Sequence, residues 1–492
     1  MSAASFRARR LLLIAALGTA FSPGPAAAQL AQGADIRTND YNVDLYQGPV
    51  LASTRVTGLA GAYVAIAEGV DGVAQNPAAP AVRVPYSFSH FDLDFGVSAG
   101  LPTVLESTDF FNTGDDRTGV ASADEQDVAF ASAAANLQFG AWGFGLSADG
   151  QTYRLNRSTG AREQLSGTFG VVRALVARGF ADGQLVIGAG ARIITLDVVD
   201  PEAQGDDARF SSQGVGGELG MVWMPAQEQF RIGAAFRSAV RTRTDTPGEV
   251  LFQGTPDELW LPDEVTVPWD ANLGLALQFG PRPLNPRWID PSSVLDPLES
   301  RHDEKAAHRE RQRERGLAEA RAGGRDLAAA ERAIDAELDT QAALDELELE
   351  RAAGELDRKL RERYRKLERF YVLVSAALLM TGPAGNAVGV ESFLQRKVNR
   401  SGKTLVLSPR LGIESELVPN WVKLRLGTYG EPTRFDTARA GGRLHGTFGF
   451  DLKLFSWTVF GLFHESTEWR VSGALDAAER YLNSAASIGI WH

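Results

Sequence analysis

The sequence predicts an all-β transmembrane barrel of about 14 antiparallel strands, preceded by a plug and interrupted by a long helical insertion on the periplasmic side. Three observations predict the barrel. Bulky apolar and polar residues alternate with period two over runs of about 9–13 residues, longer than the strands of most soluble sandwiches. The links between these runs alternate between short and long. After the first 28 residues, no stretch holds the roughly 18 uninterrupted apolar residues of a membrane-spanning helix.

Composition removes several function classes. The 492 residues include no Cys, so disulfide scaffolds, thiolate zinc sites and Cys nucleophiles are excluded. A formal charge of −12 argues against a nucleic-acid partner. The six His residues are scattered, and His302 and His308 do not share a helical face, so no metal site is expected. No phosphate loop or dinucleotide fingerprint appears, and no cofactor is expected.

Residues 1–28 read as a cleaved signal peptide. Arg7, Arg9 and Arg10 precede the short apolar run Leu11 to Phe21, and Ala26-Ala27-Ala28 forms the small-residue cleavage site. Export to the outer membrane of a Gram-negative bacterium follows. Residues 29–83 are rich in Gly and Ala. Small residues let backbone pack tightly inside a lumen, and Asn76-Pro77-Ala78 starts a turn.

Residues 84–279 hold strands one to eight, near 85–99, 127–139, 141–155, 166–178, 184–198, 212–224, 228–241 and 270–279. Residues 369–492 hold the other six, near 369–380, 402–416, 421–430, 443–455, 457–466 and 480–491. In the run from Arg443 to Phe455, Leu444, Phe448, Phe450, Leu452 and Leu454 take one face. Arg443, His445, Thr447, Asp451 and Lys453 take the other. Phe230, Ile232, Ala234, Phe236 and Val240 alternate with Arg231, Arg237 and Arg241 in the same way. Residues 467–479 show no clear alternation.

Short links follow even strands and long links follow odd ones, as when tight periplasmic turns face long external loops. Trp142, Trp223, Trp421, Trp457 and Trp491 all fall at strand ends on the short-turn side, as an interfacial girdle would. The link of residues 280–368 breaks this rule. It opens with a Pro-rich run, Pro281 to Pro297. From 301 to 369 it carries 17 Lys/Arg and 18 Asp/Glu, and Ile334, Leu338, Leu344, Leu347, Leu356, Leu360 and Leu367 form a coiled-coil-like stripe with broken heptads. Gly323-Gly324 separates two helices. Such an arm is either a solvated spacer or a docking site for a periplasmic protein partner or a second copy of the chain.

The run Gly58-Leu59-Ala60-Gly61-Ala62-Tyr63-Val64-Ala65-Ile66-Ala67-Glu68, then Asp71, then Asn76-Pro77-Ala78, resembles the N-terminal hatch of the FadL-like outer-membrane transport proteins. The related PorV-like barrels share it. The helical insertion departs from that pattern, and so does the terminal Trp491-His492. The resemblance implies a plug built on Gly58, Gly61, Ala62, Asn76, Pro77 and Ala78. It also implies passage of hydrophobic, fatty-acid-like molecules through a plugged lumen by way of a pocket beside the hatch and lateral release. Outer-membrane lipid and a hydrophobic small-molecule ligand are then the partners. Arg231, Arg237, Lys423 and Arg425 face the lumen and either hold a carboxylate head group or form ion pairs with residues such as Asp149 and Asp451. The PorV-like alternative is a scaffold or shuttle for exported proteins. A lipid hydrolase is the enzyme alternative, on His464-Glu465-Ser466, although Thr467 stands where such enzymes carry Asn. The expected protein is not an enzyme.

Overall fold

A computed structural model turns the alternation into a closed antiparallel barrel of fourteen strands. It describes residues 32–83, 90–102, 108–114, 125–156, 165–199, 210–243, 248–254, 258–286, 288, 290, 292–366, 368–435, 441–458 and 467–491. The expected signal peptide lies outside them.

The wall runs in chain order through β1 (Phe91–Leu101), β2 (Glu125–Phe139), β3 (Trp142–Asn156), β4 (Ser166–Phe180), β5 (Leu185–Val199), β6 (Phe210–Trp223) and β7 (Phe230–Arg237). It continues through β8 (Asp270–Phe279), β9 (Val372–Thr381), β10 (Val406–Val418), β11 (Val422–Glu431), β12 (Arg443–Ser456), β13 (Glu468–Ala478) and β14 (Tyr481–Ile490). β14 closes on β1, with Gly96 opposite Gly489. Closure leaves no sheet edge in lipid, and the period of two sorts the faces. Leu146, Val215, Leu426 and Leu444 point outward at 61%, 67%, 60% and 73% exposure. Arg443, His445, Thr447 and Asp451 are buried inside. An apolar exterior around a polar interior is the solution a bilayer imposes.

Four strands depart most from the sequence expectation. The thirteenth strand is 468–478, not 457–466, and only Glu479-Arg480 separates it from β14. The outward Val471 and Leu475 are diluted by Ser472, Gly473, Ala474 and Ala477, which blurs the alternation. The last two links therefore both break the short–long rule: 457–467, after an even strand, is long where a one-residue link at 456 is expected, and 479–480, after an odd strand, is short. β7 ends at Arg237 instead of 241, because the chain kinks at 238–239 and Val240 turns inward. The first strand starts at Phe91 and the tenth at Val406, both later than expected. Trp142, Trp223, Trp421 and Trp457 are exposed at the short-turn end, but Trp491 is buried, with the Lys423 ammonium 4.4 Å from its ring.

Beyond the kink, Val240–Arg243 and Glu264–Val267 pair as an inward-bent extension of the β7–β8 hairpin. They join a five-stranded inner sheet with Asn42–Asp44, Ala387–Gly389 and Arg400–Ser401. Asn42–Asp44 is its central strand and pairs in parallel on both sides. This sheet caps the long-loop end. The N-terminal segment thus starts at that cap and runs down through the lumen. It leaves at the other end, where Arg83 donates to the Gly140 carbonyl at 2.8 Å in the β2–β3 turn.

The insertion forms α1 (Ser292–Ala322) and α2 (Leu327–Arg365), an antiparallel hairpin turned at Gly323-Gly324, where Gly324 has φ +64°. Arg313 pairs with Asp335, and Lys305 with Asp345, both at 2.7 Å. Ile334 and Leu338 are partly covered, whereas Leu344 and Leu347 stand exposed, so the stripe breaks there. The hairpin leaves from the short-turn end: Gln227 in the β6–β7 turn donates to the Asn285 carbonyl at 2.9 Å, and Arg83 lies over the Trp288 ring.

Candidate ligand site in the lumen

The segment from Gly58 to Val70 is buried throughout, and the wall is shaped to receive it. Gly188 on β5 and Gly220 on β6 are cross-strand neighbours. A Cβ on Gly188 would stand 1.9 Å from the Pro77 carbonyl oxygen, and one on Gly220 would stand 2.1 Å from Asn76 Oδ1. Gly233 on β7 meets the Val64 carbonyl in the same way, at 2.2 Å. These lumen-facing glycines let backbone seat directly on backbone. Asn76 then fastens the seat. Its Nδ2 donates to the Val64 carbonyl at 2.8 Å and to the Met221 carbonyl at 3.1 Å, and its Oδ1 accepts from Ala78 N at 3.0 Å. Gly58 packs on Gly449 of β12, and Gly61, at φ +73°, lies against the Arg410 guanidinium. Ala62 and Ala78 are fully buried.

Charge completes the attachment. Arg231 donates to Glu68 Oε1 at 2.7 Å, to the Ile66 and Leu284 carbonyls at 3.0 and 2.7 Å, and to Asn285 Oδ1 at 2.7 Å. Arg425 bridges Glu414 at 2.6 Å and Asp451 at 2.5 Å. Arg55 joins Glu414 at 2.8 Å, and Arg470 ties Asp451 to Asp71 of the segment at 3.1 and 2.5 Å. Buried charges persist only when paired in this way. The structure places Arg231, Arg425 and Lys423 in or beside this network, away from open space.

Arg237 is placed differently. It donates to Asp270 Oδ1 at 2.7 Å and to the Ala74 and Gln75 carbonyls at 2.7 and 2.9 Å, and it lines a cavity of about 180 Å³. That cavity lies between the N-terminal segment and the wall, under the inner sheet. Leu45, Val50, Leu51, Phe169, Ile194 and Leu379 give it an apolar side. Arg173, Arg192, Arg237 and Arg410 give it a basic side, faced by Asp149 and Asp270. Arg173 pairs with Asp149 and approaches Glu218 at 3.4 Å. Arg410 is the exception: among the described residues no carboxylate lies within ion-pair distance. Its Nε has no partner, and its Nη1 donates to the Gly61 carbonyl only at 3.4 Å. Sequence reasoning missed Arg410, because Pro409 and Gly412 interrupt the alternation around it.

The cavity sits behind the β7 kink. The register of β6 with β7 runs from Trp223 to Glu218 and stops. Beyond it, Ser238 N donates to the Gly217 carbonyl at 3.0 Å, and Ser238 Oγ accepts from Gly217 N at 2.9 Å. Among the described residues, the upper half of β6 pairs in the wall with β5, while Val240 and Thr242 of the inward-bent extension pack on its Gly214 and Gly216 from within, and Thr242 Oγ1 hydrogen-bonds Ser212 Oγ. His464, Glu465 and Ser466 lie outside the described residues, and no group of metal-ligating side chains forms among the described ones.

No protein-family model matches the chain, and no curated protein matches it in sequence. Among solved structures it is similar to a Pseudomonas aeruginosa FadL homologue, at 11% identity over 90% of this chain and 98% of that one, with a TM-score of 0.45. It is similar to the P. putida toluene transporter TodX at 11% identity over 91% and 99%, with a TM-score of 0.46. The CymD monoaromatic hydrocarbon channel gives 9% identity over 90% and 97%, with a TM-score of 0.43. The structures this chain is similar to thus include FadL homologues and monoaromatic hydrocarbon channels, while its barrel rests on its own strand pairing.

Proposed function

We propose that this chain is an outer-membrane channel that passes hydrophobic small molecules, fatty-acid-like amphiphiles included, through a plugged lumen, and that it is not an enzyme. The supporting observation is the cavity of about 180 Å³ between the N-terminal segment and the wall, with one apolar side and one polar side on which four Arg face two Asp. An apolar cavity of roughly 150 Å³ takes up a benzene ring, so this volume suits a small aromatic molecule or the head and first carbons of an alkyl acid. A water-filled pore would serve such a solute poorly, because each buried CH₂ favours an apolar environment by about 0.8 kcal/mol. Arg410 is the group that would receive an acidic head. The break in wall pairing above Glu218, where β7 leaves β6 and Val240 and Thr242 cover β6 from within, would be the route to the bilayer once those side chains move aside.

The scaffold reading rests on the helical hairpin, whose exposed Leu344 and Leu347 are what a periplasmic protein partner would cover. Transport is tested in proteoliposomes. The chain should speed exchange of a fluorescent medium-chain acid, and a Gly217→Cys/Ser238→Cys disulfide should stop it until reductant is added. Equal exchange with and without protein would sink the transport reading and leave the scaffold.

A further inference from the structure

We infer that the foot of α2 and the short-turn rim together form a groove for the headgroup of an anionic phospholipid. The inference needs the barrel to span a bilayer, but not the transport reading.

Helix α2 is divided by charge. Residues 331–350 hold eight Asp/Glu and one Lys/Arg, whereas residues 351–369 hold eight Lys/Arg and four Asp/Glu. The acidic part is toward the hairpin tip and the basic part toward the barrel. Basic residues suit the last turn of any helix, yet this run begins at Arg351, about four turns before the end of α2 at Arg365. The dipole accounts for one turn of it.

The basic foot lies over open space. A groove of about 580 Å³ separates it from the rim, with Pro281, Pro283 and Pro286 on the barrel side and Lys359, Arg363 and Lys366 on the helix. Glu362 and Glu368 also line the groove, and Glu355 pairs with Lys359 at 2.9 Å. The prolines restrict the rim backbone and donate no backbone hydrogen bonds.

The height of the groove identifies its occupant. Trp223 and Phe279 end β6 and β8 just before the turns that form the rim, and both are exposed on the outer wall. Phe370, immediately after the foot, is exposed too. Aromatic side chains of this kind mark the headgroup level. A lipid whose chains lie along Phe279 and Phe370 therefore presents its phosphate to Lys359, Arg363 and Lys366. A basic residue at an anionic membrane surface is worth about fivefold in affinity.

The test uses the full chain in nanodiscs of phosphatidylethanolamine with a minor share of phosphatidylglycerol, followed by native mass spectrometry. The wild-type chain should retain phosphatidylglycerol above its bulk share. Lys359→Gln/Arg363→Gln/Lys366→Gln should lower retention on the order of tenfold or more, while Glu337→Gln/Asp339→Asn/Glu346→Gln in the acidic part of α2 should not. Heat-modifiable electrophoretic mobility checks that the barrel is folded. If the basic-foot variant fails to fold, salt titration of the wild type decides instead, because retention at an exposed groove must fall as salt rises. Retention at the bulk lipid ratio, an unaffected triple variant, or displacement by millimolar inorganic phosphate would overturn the inference.

Discussion

Gly188→Val is the most direct probe of how the lumen is filled. The new Cβ would stand 1.9 Å from the Pro77 carbonyl oxygen and 2.4 Å from its carbon, where ordinary contact begins at 3.4 Å. Both atoms belong to backbone, and Asn76 anchors that backbone through Val64 and Met221. The segment must therefore retreat by about 1.5 Å. Overpacking of this kind costs about 1–3 kcal/mol per site. Gly220→Val adds a second clash, 2.1 Å from Asn76 Oδ1. The wall should survive, since β5 pairs with β4 and β6 along its length. The expected result in a planar bilayer is intermittent ion conductance for the single variant and sustained conductance for the double one. A folded double variant that stays as silent as the wild type would mean that the N-terminal segment is not what closes the lumen.

Further expectations follow from the same contacts. Arg231→Met removes a donor to four acceptors and leaves Glu68 with Arg55 at 3.3 Å, so the N-terminal segment should lose about 3–5 kcal/mol. Faster hydrogen exchange at Ile66 to Glu68 would report it. Arg410→Gln should lower binding of a carboxylate-bearing test ligand by roughly tenfold or more and leave an uncharged hydrocarbon unaffected. Equal losses for both would count against a head-group role. In the hairpin, hydrogen bonds from Arg313 and Lys305 hold the Asp335 and Asp345 carboxyls below their usual 3.8. Their contribution is complete above that value and is lost as pH falls through the lowered one. Spin labels on α1 and α2 should keep one separation from about pH 5 to pH 8 and spread under stronger acid.

Much of the wall was legible because lipid outside and a polar lumen inside enforce a strict period of two. The run from Arg443 to Phe455 needed only that rule. β13 escaped it because its outward positions alternate with Ser, Gly and Ala, whose faces the sequence does not distinguish. The β7 kink was hidden for another reason. Val240 and Arg241 continue an alternating pattern, but the pairing of Val240 with Val267 draws them into the inner sheet. That sheet depends on parallel pairing of Asn42–Asp44 with segments more than two hundred residues away, which no local pattern carries. The lumen-facing cations were visible as residues, but their partners were not. Arg231 and Arg425 are tied into the attachment of the N-terminal segment, Arg237 reaches the cavity, and Arg410 was not noticed. Cation identity is local information, whereas the carboxylate opposite is set by barrel closure.

A hydrophobic ligand site between the N-terminal segment and the wall underlies the proposed transport. Native mass spectrometry of the purified, detergent-solubilised chain tests it, beside an Ile194→Trp variant whose larger side chain fills the cavity. The wild-type chain should carry one hydrophobic small molecule at stoichiometric amount, and the variant none. Bulk membrane lipid alone, or the same species on both, would contradict it.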